Sequence, residues 1–159
     1  MGSEIFIEPV SSLYRLLEEI SGQIAFIRRE LPSLEMSKQI RPAISGMCED
    51  FDSTLYDVRK EVRTLEDKLG MQPGEEPFDP DVNPDPRATL SLIRSWLRTE
   101  LESLNRIVTK LQTREERGSA TGAVFILVAE SGAGILRAFG SIENILAFIE
   151  SKLTRSEGA

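Results

Sequence analysis

Between Ile40 and Leu69 the apolar residues Ile40, Ile44, Met47, Phe51, Leu55, Val58, Val62, Leu65 and Leu69 succeed one another at alternating steps of three and four. No other feature constrains the fold as strongly. At about 100° per residue these side chains fall in a stripe roughly 80° wide, the narrow seam of a rod packed in coiled-coil fashion. A strand cannot use this spacing, because its faces alternate every second residue. Pro42 puts the start of the regular helix near Arg41, or kinks it there, and Gly70 supplies its stop.

A seam on one side of a long rod must be covered by other rods, and the chain provides them. Leu13, Leu16, Leu17, Ile20, Ile24, Ile27 and Leu31 predict a helix from Ser11, with Ser11 or Ser12 as its cap and Pro32 as its stop. A third is predicted from Pro86, capped by Asp85, with the seam Leu90, Ile93, Leu97, Leu101, Leu104, Val108 and Leu111; Gly118 is expected to end it. A fourth is expected from about Ser119 to Leu153. Strand-like alternation is missing, so the expectation is an all-α bundle of four long helices in one domain spanning the 159 residues. Residues 1–9 and 155–159 are expected to be flexible ends.

The second and third helices are joined by "GMQPGEEPFDPDVNPDP", in which prolines alternate with acids. Such a segment (70–85) favours extended backbone and reaches about 50 Å at ~3.1 Å per residue. It could therefore cross the whole bundle. Both an up-down arrangement and one with a long crossover between helices two and three are open. Its Asp79, Asp81, Asn83 and Asp85 have the spacing of a calcium loop, but Pro84 stands where that loop needs glycine and Leu90 where it needs a glutamate. The segment reads as a solvated linker whose last aspartate caps the next helix.

Composition narrows the chemistry. Histidine is absent, which removes the commonest general base and metal ligand. The single cysteine, Cys48, can form neither an internal disulfide nor a thiolate zinc site, and it lies beside Glu49 and Asp50, which oppose thiolate formation. Adjacent glutamates such as Glu18–Glu19 point in different directions on a helix, and "SGAG" (131–134) lacks the lysine and spacing of a phosphate loop. No catalytic residue, metal or cofactor is predicted, and the protein is expected not to be an enzyme. The net charge of −7 disfavours nucleic acid as a partner. Arg87, Arg94 and Arg98 do form a stripe on helix three, which is expected to pair with acids of neighbouring helices. The lone cysteine and the absence of a signal-peptide pattern at the start suit a reducing, cytoplasmic setting.

The fourth helix contains the most unusual stretch, "AVFILVAESGAGILRAFGSIENILAFI". Its core seam is Val124, Leu127, Ser131, Ile135, Ala138, Ile142, Ile145, Ile149 and Leu153; beside it runs a second stripe of Phe125, Val128, Ala129, Gly132, Leu136 and Phe139. Together they cover roughly 220° of the helix at 100° per residue, far more than the second helix devotes to packing. Glu130, Arg137 and Asn144 mark a wet face on which Ile126 and Phe148 also fall. Charges recurring every six or seven residues argue against a conventional transmembrane span.

Three arrangements would account for the surplus. The helix lies centrally among three neighbours, or Ile5, Phe6 and Ile7 strap over its C-terminal half, or the stripe binds another molecule, with Gly132, Gly134 and Gly140 allowing close approach. The expectation is a protein–protein interaction or assembly module, an adaptor that acts as a homo-oligomer. Its expected partner-binding residues are Phe125, Gly132, Leu136 and Phe139, joined by Leu92, Trp96 and Ile107 on helix three, where the one tryptophan lies off the main seam. The rivals are a membrane-active bundle that releases helix four, and a bundle that holds a small apolar ligand.

Overall fold

The computed structural model describes the backbone of residues 4–36, 38–71, 85–115 and 119–158, and the side chains of 4–36, 38–71, 85–112 and 122–154. It consists of α1 (Glu4–Glu30), a single 3-10 turn (Leu31–Ser33), α2 (Ile40–Lys68), α3 (Pro86–Glu115) and α4 (Ser119–Gly158). No strand occurs among the described residues, and the four helices pack on one another as an all-α bundle.

Contacts between named residues give its topology. Tyr14 meets Glu66 while Arg28 meets Asp52, so α1 and α2 are antiparallel. Thr54 meets Glu100 while Lys68 meets Thr89, which makes α2 and α3 antiparallel. Arg94 reaches Glu150 while Leu104 lies against Gly132, which makes α3 and α4 antiparallel. The bundle is therefore up-down-up-down. Of the two topologies open to the sequence, the crossover is not used: the proline-rich connection joins neighbouring ends. Each helix has two principal neighbours, in the ring α1–α2–α3–α4–α1. Hence α4 stands at a corner, not centrally among three.

Local signals explain the boundaries. The Asp85 carboxylate accepts from the Arg87 backbone N–H at 3.0 Å, and Pro86 takes the first helical position, where its missing N–H has no cost. At the end of α2, the N–H groups of Gly70 and Met71 donate to the carbonyls of Asp67 and Glu66 with Gly70 at φ +77°, a Schellman ending that glycine adopts without Cβ strain. The α1–α2 turn is closed by Arg41, whose guanidinium donates to the carbonyls of Leu31 (3.0 Å) and Leu34 (2.7 Å).

α1 begins at Glu4, seven residues before the predicted Ser11, with Pro9 inside it. Proline removes one bond to the preceding turn, but it does so near the helix start, and burial of Phe6 and Val10 offsets the loss. Residues 4–9 belong to this helix, with Phe6 buried and Ile5 and Ile7 about half exposed, and α4 likewise continues as helix through 155–158. The calcium-loop positions Asp79, Asp81 and Asn83, and most of the linker, lie outside the described residues.

The core runs the length of the bundle. Ile24, Ile27, Ile44, Val58, Val62, Leu65, Val124, Ile135, Ile142 and Ile149 are fully buried, and Phe51 fills the middle of α2. On α4 the core face is displaced by one residue from the predicted seam near the C-terminal end: Leu146 is buried and Ile145 only partly so.

Candidate functional site

No group of three potential metal ligands is present among the described residues. Cys48 is buried; burial pushes its thiol up, Asp52 and Glu49 push the same way, and the nearby Arg28 opposes them. That leaves it a protonated, inaccessible thiol. The Tyr14 hydroxyl donates to Glu66, and half-burial together with this carboxylate holds the phenol well above its usual range. This Tyr14–Glu66 contact ties the start of α1 to the end of α2, beside a shallow cleft of about 580 Å³ lined by Ile7, Val10, Ser11, Gly70 and Met71. The basic stripe of α3 is consumed by acids: Arg94 and Arg98 both engage Glu143 of α4, at 3.3 and 3.2 Å, and Arg87 engages Asp85. Glu143, which interrupts the second stripe of α4 in the sequence, is there to receive them.

The surplus apolar surface of α4 divides in two. Val128 and Gly132 are buried against α3, where a Cβ on Gly132 would lie 3.4 Å from Leu104. Phe125 and Phe139 are half-buried at the edge of the core. Leu136 is 56 % exposed and contributes nothing to the core. The predicted second stripe is thus part wall and part surface. The glycines divide likewise: Gly132 admits α3, Gly134 lies against Gln23 of α1, and Gly140 has open space where a side chain would be.

Leu92, Trp96 and Ile107 belong to another surface. Ile107 lines a small cleft of about 220 Å³ with Ile40, Ala43 and Ile44 of α2. Trp96 is half-buried against the core and Leu92 is 38 % exposed. At 100° per residue, Leu92 and Trp96 point to the α2 side of α3, roughly opposite Arg94 and Arg98, which face α4. The structure does not bring the two predicted patches together.

Ile126, which the sequence places on the wet face, is not among the expected partner-binding residues. This residue is 53 % exposed on the outward side of α4, with Ala133, Gly140 and Ala147 following it at successive heptad steps and Leu136 beside them. Phe148, 40 % exposed, lies at the same side but has the Lys152 ammonium 5.3 Å from its ring centre. The available signal was the apolar character of the nominally wet face, where Glu130, Arg137 and Asn144 drew attention from their neighbours. Within Gly122–Thr154 an 18-residue window reaches a mean hydropathy of 1.5, long and apolar enough to cross a membrane by length and composition, and 39 % of that window is buried.

Comparisons of the chain with protein-family models, curated proteins and solved structures find no match.

Proposed function

We propose that this protein is a non-enzymatic assembly module that associates with a second copy of itself through the outward face of α4. One observation carries the reading: Ile126 and Leu136 stand more than half exposed, at 53 % and 56 %, on a helix whose inward face is already sealed. Large apolar side chains held in a row on a rigid helix gain from burial at roughly 25 cal/mol per Å². A contiguous patch of this kind marks an interaction surface more often than scattered single residues do. The work of such a module is to present a preformed face, in keeping with an adaptor or scaffold of a reducing, cytoplasmic setting.

The test is sedimentation equilibrium of the full chain and of Leu136→Glu. Association should weaken at least tenfold in the variant while the helical circular dichroism stays unchanged. A variant that unfolds would make Leu136 part of the core and defeat the reading.

A second reading, insertion of α4 into a bilayer, is favoured by an 18-residue window of α4 with a mean hydropathy of 1.5. It is opposed by the pairs Arg94–Glu143 and Arg98–Glu143, which would have to break, and by the bundle core, which would be laid open. Leakage of anionic vesicles, with no mass change in their absence, would favour insertion over self-association.

A further inference from the structure

The outward face of α4 has a pattern that fits its own copy turned end for end. Ala133 is exposed at the centre of the face. Seven residues before it stands Ile126, and seven after it Gly140, whose missing side chain leaves open space. When two such helices run antiparallel about a two-fold axis at Ala133, a residue seven before the axis meets one seven after it. Each Ile126 then lies over the other copy's Gly140: bulk meets vacancy. On one flank of this row are Glu130 and Arg137, also seven apart, both exposed and neither in an ion pair among the described residues. In the same register, within one residue, each Glu130 meets the other copy's Arg137. On the opposite flank the exposed Leu136 meets Ala129, again with a small partner for a large one.

We infer that two copies of this chain pair antiparallel through α4 about a two-fold axis at Ala133, with Ile126 over Gly140 and reciprocal Glu130–Arg137 ion pairs. The inference rests on the self-association proposed above and adds its geometry. A parallel, in-register pair of the same faces would put Ile126 against Ile126 and Gly140 against Gly140, and would set the Glu130–Arg137 flank against the other copy's Ala129–Leu136 flank, leaving both charges without an opposite partner. The size pattern and the charge pattern are independent, and both select the antiparallel register.

Charge exchange and cysteine placement test it. Glu130→Arg and Arg137→Glu should each weaken association roughly tenfold or more by setting like charges together. The double variant Glu130→Arg/Arg137→Glu should recover to within about threefold of the unmodified chain, since it restores both pairs with their signs exchanged. Under mild oxidation Ala133→Cys should form a disulfide-linked dimer rapidly. Asn144→Cys should not, because its copies lie about 33 Å apart at 1.5 Å per residue; the unmodified chain with Cys48 buried is the control. A dimer that crosslinks through Asn144→Cys and not through Ala133→Cys, or a double variant no better than the singles, overturns the geometry while leaving self-association standing. A chain that stays monomeric at every concentration removes both.

Discussion

α2 and α4 stand at opposite corners of the bundle, each with two principal neighbours, and they share one heptad rhythm. On α2 the apolar stripe is as wide as two neighbours can cover. Its residues from Ile40 to Leu69 are buried, and its exposed large apolar residue, Tyr56, has the Lys60 ammonium 4.2 Å from its ring centre. On α4 the stripe is wider than two neighbours can cover. Val124, Ile135 and Ile142 are sealed, while Ile126 and Leu136 lie outside. Two flanking helices conceal only a limited arc of a third, so apolar side chains beyond that arc do nothing for the monomer. Their presence needs another explanation, and association supplies one.

This contrast has a direct energetic form. Phe51→Ala in the middle of α2 should cost about 3–5 kcal/mol by leaving a cavity, with a fall in Tm of roughly 10 °C in thermal circular dichroism. Ile126→Ala on α4, measured in dilute protein where association does not contribute, should cost less than about 0.5 kcal/mol. Equal losses would erase the distinction between the two helices.

The edge of α2 gives a smaller effect, visible in pH. The Tyr14 phenol is held above its ordinary value of 10.0 by burial and then by Glu66. A raised folded-state value means the unfolded chain releases this proton first. The contribution is complete below pH 10 and is lost as pH rises beyond it. Denaturant titrations at pH 9 and above should show stability falling with pH, and Tyr14→Phe should flatten that slope. At neutral pH the variant should lose about 1–2 kcal/mol, since Glu66 is left without its donor. An unchanged alkaline slope would mean that the phenol is as free in the fold as in the unfolded chain.

Smaller still is the α3–α4 clamp. Glu143 is 26 % exposed and Arg94 22 %, enough water to screen the pair. Glu143→Gln should cost about 1 kcal/mol or less, and high salt should reduce the difference further. A loss of several kcal/mol would make α4 dependent on this clamp rather than on its sealed face, and would bring its energetics closer to those of a buried ion pair.

Much of the bundle was legible in the chain because its signals are local. The seam of α2, the Gly70 stop and the Asp85–Pro86 start each depend on residues within one or two turns, and each is found where the pattern puts it. The start of α1 was not, because Pro9 and the caps at Ser11 and Ser12 obscure the continuation of the rhythm through Phe6 and Val10. Helix direction was illegible for a different reason: a linker long enough to cross the bundle does not reveal that it joins adjacent ends. The candidate site is intermediate. Periodicity reveals how wide the apolar arc of α4 is, but not which parts of it the neighbours conceal. So Gly132 and Leu136, adjacent on the predicted stripe, end on opposite sides of the boundary between core and surface. Ile126 was discounted because an angular average assigned it to the side of Glu130 and Arg137.

The central claim is that the outward face of α4 is an interface for a second copy, and the mass of the unmodified chain in solution addresses it most directly. Sedimentation equilibrium across a wide concentration range should show a mass rising from the 17.8 kDa of one chain toward twice that value. A mass that stays at 17.8 kDa at the highest concentrations would contradict the claim.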